Sequence, residues 1–132
     1  MEYIFKNIHT EIGTISSGRD AVYLDDFIQK NNQIMMKGEI NSRFCPKEFQ
    51  TSKWYQYEII CDDVKAYRSE HIDIYPWKKW RTNSAFSEVE NSDWQEEYKL
   101  NKKEYVHLVI ETYDYIYYIL CRKYDIHITG KR

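Results

Sequence analysis

The sequence predicts a mainly β single domain over residues 1–132: a curved antiparallel sheet, sandwich or barrel-like closure of about six to eight strands, with one short helix near residues 93–99. Three observations predict it. Apolar residues recur at period two in several runs, and successive side chains of a strand point to opposite faces. Tyrosines, thirteen in all, share those runs with isoleucine and valine, residue types that favour a pleated, packed surface. Short polar stretches able to reverse the chain separate the runs.

The clearest element is the C-terminal run from Glu104 to Gly130. Val106, Leu108 and Ile110 alternate with Tyr105, His107 and Val109, giving one strand. Tyr115 to Cys121 is almost entirely aromatic or β-branched, giving a second, and the chain reverses at about Tyr113-Asp114. Ile116, Ile119, Leu120 and Lys123 also have helical spacing, but three tyrosines and β-branched neighbours favour the strand. Asp125 to Thr129 forms a third, short strand that Gly130 ends.

From the N-terminus, Tyr3 to Ile12 alternates as a first strand, and Gly13 to Gly18 is loop. Asp20 to Lys30 is open between a helix capped by Asp20 and a strand broken at Asp25-Asp26. A hairpin with Gln33 to Ile40, turning at Lys30-Asn31-Asn32, is favoured because asparagine tolerates the left-handed region. Asn41 to Lys53 is a loop pinned by Phe44, Cys45 and Phe49. Tyr55 to Cys61 is a strand, and Asp62-Asp63 marks a bulge or turn. Val64 to Tyr67 and Ile72 to Tyr75 continue as strand-like pieces until Pro76. Ser92 then caps a helix from about Asp93 to Lys99, with Gln95 in the capping-box position and Asp93, Glu96 and Glu97 near the positive end of the dipole.

Composition excludes several functions. The net charge of -2 gives no field to draw a chain of phosphates, so nucleic acid is an unfavoured partner. No apolar run approaches the roughly 20 residues that span a bilayer, and the N-terminal residues lack the pattern of a secretory signal. Three separated cysteines without C-x-x-C spacing suit reduced thiols in the cytoplasm. His9, His71, His107 and His127 lack ligand spacing, so no metal or cofactor is expected. Asp25-Asp26 and Asp62-Asp63 are adjacent pairs that diverge in a strand. Glu58 and Glu111 fall in strands, where a buried carboxylate would be the catalytic candidate and a solvated one the ordinary outcome. Ser84, Ser87 and Ser92 have no nucleophile elbow around them. No catalytic residue is assigned.

One local feature stands out. Trp77-Lys78-Lys79-Trp80-Arg81 interleaves two indoles with three cations, the mixture that anchors protein interfaces, set against tryptophans that merely plug the end of a sheet. A different reading is a ligand pocket between sheet and helix, lined by Tyr57, Trp94 and Tyr117.

The segment AFSEVENSDWQEEY, followed by YVHLVIETYDYIYYILCRKYDI, resembles a pattern in small uncharacterised bacterial proteins, some of immunity-protein type. The matching residues are Phe86, Glu88, Val89, Asn91, Ser92, Trp94, Tyr113 and Asp114, in about the last third of the chain. The resemblance implies no catalytic residue and points to protein binding. The expected function is therefore non-catalytic binding of another protein, as an inhibitor or immunity-like partner. Self-association through a sheet edge is a variant of it, a small-ligand pocket comes next, and an enzyme last.

Overall fold

The period-two runs become strands. The structure is a computed structural model and describes residues 3–72 and 82–131. In chain order the strands are β1 (Phe5–Asn7), β2 (His9–Thr10), β3 (Gly13–Thr14), β4 (Val22–Lys30), β5 (Gln33–Ile40), β6 (Tyr55–Asp62), β7 (Ala66–His71), β8 (Phe86–Val89), β9 (Val106–Glu111), β10 (Tyr115–Cys121) and β11 (Lys123–Lys131). One helix, α1 (Asp93–Glu97), lies between β8 and β9, and two 3-10 turns follow β5. Among the described residues no helix is long and apolar enough to cross a membrane.

The strands form three antiparallel sheets and no closed barrel. A five-stranded sheet has the order β1-β8-β9-β10-β7, a four-stranded sheet the order β11-β6-β5-β4, and β2 pairs with β3 alone. The two large sheets face each other. Ile34, Met36, Tyr57, Ile59 and Cys61 of one pack with Phe86, Leu108, Ile110, Ile119 and Cys121 of the other. The alternate residues of the five-stranded sheet, Val89, Val109, Ile116 and Tyr118, form a second apolar cluster on its opposite face with Tyr3, Phe5 and Trp94. The β9–β10 hairpin is thus buried on both faces, which is why it reads as a nearly continuous apolar run.

Turn chemistry sets the registers. Asn31 and Asn32 take φ of 50° and 64° between β4 and β5, the left-handed pair a tight hairpin demands. Residues 22–30 are therefore strand, with a bulge between Leu24 and Asp26 where the sequence expects a break. At the β9–β10 reversal, the Thr112 hydroxyl donates to the Tyr115 carbonyl (2.7 Å) and accepts from its N–H (3.2 Å). Asp63, at φ 51°, turns the chain from β6 toward β7. Arg122 and Lys65 pair with it at 2.9 and 3.0 Å, and these cations beside it hold its carboxyl down at about 2.

Several expectations need correction. Residues 3–12 hold two short strands in different sheets, 5–7 against β8 and 9–10 against β3, because the chain leaves β8 after the Ile8 N–H has bonded the Phe86 carbonyl. The last strand is longer than expected and pairs with β6; Gly130 does not end it but sits across a register shift from Ile128 and pairs with Gln56. The piece expected at 64–67 becomes β7, and Ile72 is a buried residue just beyond it; 73–75 lie outside the described residues. Strand β8 was not expected: four residues are too few for alternation to show, and all but Glu88 are buried. The strand count exceeds six to eight because three strands have only two or three residues.

At Gly38 the backbones of β4 and β5 come too close for a side chain. A Cβ there would collide with the Tyr23 carbonyl oxygen, which already accepts the Tyr57 hydroxyl at 3.0 Å. Gly38→Ala is expected to cost more than about 2 kcal/mol in urea unfolding, since backbone cannot retreat as a flexible side chain does. A cost within error would remove this packing argument.

Candidate functional site

The surface that gathers most chemistry is the open side of the sandwich, where β4 and β7 are terminal strands of their sheets. Its first part is built around α1. The Ser92 hydroxyl caps the helix by accepting from Gln95 N–H (3.2 Å) and meets His107 Nδ1 at 2.7 Å. The capping box is only half formed, because the Gln95 amide donates to the Tyr105 carbonyl instead. This cap seats Trp94 edge-on to the His107 ring at 5.0 Å. Tyr3 meets the same imidazole at 5.5 Å, and its hydroxyl donates to Asp93 at 2.5 Å.

Arg68 projects from β7 beneath this roof. Its guanidinium lies 4.7 Å from the Tyr118 ring centre and 5.6 Å from that of Trp94, and it pairs with Glu70 at 3.6 Å. Between β7 and α1 opens a cleft of about 810 Å³. Residues 64–68 form one wall and Trp94, Glu97 and Tyr98 the other, with Tyr3 and Gln29 completing it. The cleft is open to solvent, and Tyr67 and Tyr98 on its rim are about half exposed, at 46% and 50%. Among the described residues no strand pairs with the outer side of β7, which borders the cleft.

Buried polar groups lie behind this surface. His107 is 1% exposed, its Nε2 has no hydrogen-bond partner among the described residues, and burial, then Arg68, hold its pKa at about 4. Glu111 is also buried; Ser17 Oγ donates to it at 2.8 Å and Thr82 Oγ1 to its other oxygen, while burial raises its pKa against those bonds. Glu58 faces outward and pairs with Lys37 at 3.6 Å. All three thiols are buried, and burial lifts Cys45 to about 11. Cys61 is raised as well, through a hydrogen bond with Cys121 and then burial. Ser84, Ser87 and Ser92 are buried and satisfy local groups. Among the described residues no three His, Cys, Asp or Glu side chains gather to hold a metal.

Trp77, Lys78, Lys79, Trp80 and Arg81 lie outside the described residues. The expected pocket of Tyr57, Trp94 and Tyr117 is not assembled. Tyr57 is 2% exposed in the inter-sheet core, and Trp94 stands on the opposite face of the five-stranded sheet. Tyr117 faces the first core at its open edge, stacked on Phe27 at 5.3 Å. Sequence reasoning found Trp94 but missed Arg68, Tyr67 and Tyr98; the helix start at Ser92 was the available signal for the Trp94 and Tyr98 side. Compared with known proteins, the chain matches no family model, no curated protein and no solved structure.

A histidine held neutral favours the fold only while it stays neutral. Its contribution is complete above the ordinary value of 6.5 and is lost as pH falls toward about 4. Between pH 7 and pH 4 the wild type is expected to lose about 3 kcal/mol more stability than His107→Gln in urea unfolding. Glu111 works in the opposite sense: its raised pKa disfavours the fold once pH passes the usual carboxyl range. Glu111→Gln, which keeps hydrogen-bonding atoms for Ser17 and Thr82, is expected to raise the Tm at pH 7; a lowered Tm would show that the charge is needed.

Proposed function

We propose that this chain is a non-catalytic protein-binding domain, of inhibitor or immunity type, that takes up an extended segment of its partner along the outer edge of β7. One observation carries the reading: the open cleft is walled by Trp94, Tyr98, Tyr67 and Arg68 and runs beside β7, whose outer side no other strand among the described residues pairs with. An added strand gains backbone hydrogen bonds from such an edge, and side-chain pockets beside it provide selectivity. Tryptophan, tyrosine and arginine are the residue types that dominate binding energy at interfaces. An open trough suits a chain segment better than a small molecule, which is normally enclosed over most of its surface.

The pattern that the last third shares with small uncharacterised bacterial proteins, some of immunity type, is the sequence feature behind this reading. The groups that would serve catalysis agree with it, since the serines, Glu111 and the thiols are buried and engaged in the fold. Reduced thiols fit a cytoplasmic setting, which we adopt with it.

The test is selection of random displayed peptides on the folded protein, followed by amide hydrogen exchange on the complex. Selected peptides are expected to protect the amides of residues 66–71 and to bind at least about tenfold more weakly to Arg68→Ala/Trp94→Ala. Peptides that protect other strands instead, or an unchanged Kd in a double variant with native circular dichroism, would refute the proposal.

A further inference from the structure

We propose that a second pocket on the same open side receives a cationic side chain, lysine or arginine, of the partner protein; this rests on the protein-binding reading above. The pocket holds about 320 Å³ and lies between β4 and the β9–β10 turn. Two stacked aromatic pairs flank it. Tyr23 lies on Tyr113 with centroids 5.0 Å apart and planes 15° from parallel. Phe27 lies on Tyr117 at 5.3 Å and 20°. Tyr115, 41% exposed, adds a third wall.

Such a wall selects charge as well as shape. Aromatic faces carry negative electrostatic potential and attract ammonium and guanidinium groups. Arg19 already does this within the chain, with its guanidinium carbon 4.9 Å from the centre of the Tyr113 ring. Two carboxylates, Asp25 and Asp114, also line the pocket, and both are exposed. Neither forms a salt bridge among the described residues. Burial, then Tyr115 and Asp114, raise the Tyr117 hydroxyl above its ordinary pKa. Rings and exposed carboxylates together leave a site that an anion or a neutral apolar group does not complete.

Continuity with the cleft identifies the source of the cation. Tyr67 borders the cleft and Phe27 borders the pocket, and their rings meet at 5.7 Å. A segment running along β7 therefore passes the pocket and can lower one long side chain into it. Arginine is the better occupant of the two, because its planar guanidinium is weakly hydrated and stacks on aromatic faces.

The probes are blocked tripeptides, Ac-Gly-X-Gly-amide, with X arginine, lysine or the neutral isostere citrulline, and separately tetramethylammonium. Binding is read from the ring resonances of Tyr113, Tyr115 and Tyr117 at low salt. The arginine and lysine peptides are expected to give saturable shifts, with citrulline about fivefold weaker. Asp25→Asn/Asp114→Asn, which changes only exposed side chains, is expected to lower affinity for the arginine peptide by about fivefold. Each probe presents a single side chain on a blocked backbone, so the pocket can fail or stand separately from uptake of a segment along β7. Absence of saturable shifts, equal affinity for citrulline, or indifference to the double variant would overturn the proposal. Tighter binding of tetramethylammonium than of either cationic peptide would overturn it too, by assigning the pocket to a free small cation.

Discussion

Everything else in this fold depends on the β9–β10 hairpin being covered on both sides. Leu108, Ile110, Ile119 and Cys121 face the four-stranded sheet, while Val109, Ile116 and Tyr118 face the cluster around Trp94. Each fully buried aliphatic side chain of this kind contributes on the order of 2 kcal/mol, so a hairpin buried twice dominates the core. Among the described residues the second cover is made by one five-residue helix and the side chains of Tyr3, Phe5 and Ile72, held by the Ser92 cap and the Tyr3–Asp93 bond. The surface that forms the cleft is therefore the same structure that closes the second core.

That arrangement explains why the polar chemistry of this chain is internal. Tyr55 and Tyr57 are buried and Tyr124 partly so, and a buried phenol costs free energy unless its hydroxyl is bonded. Tyr57 reaches the Tyr23 carbonyl, Tyr55 the Phe49 carbonyl, and Tyr124 the Glu88 carboxylate. These bonds cross between strands and between sheets, and they link the covering loops to the core. Tyrosines that do not complete the core, Tyr67, Tyr98 and Tyr115, collect on the open side instead. One residue type thus builds the interior and the proposed contact surface.

Most of the architecture was readable from period and turn chemistry. The hairpin at Tyr113-Asp114, the asparagine turn, the Ser92 cap and the strand from Tyr55 were expected where the structure has them. Short elements were not. A strand of four buried residues such as β8 carries too few positions to display a period, and residues 3–12 alternate smoothly through a change of sheet. The site was less readable than the fold. Trp94 and Tyr98 approach Arg68 and Tyr67 only because β7 is the terminal strand of its sheet, and strand order leaves no mark in local sequence. The grouping of Tyr57, Trp94 and Tyr117 failed for the same reason: adjacency to a sheet says nothing of which face a residue occupies.

The placement of the three thiols gives the molecule internal reporters. Cys45 lies in the strap of 3-10 turns after β5, whereas Cys61 and Cys121 meet between the two large sheets. A thiol reagent reaches the first when the strap lifts and the other pair only when the sandwich parts. Trapping rates at these positions therefore time two separate openings of the native protein, without any label having to be introduced.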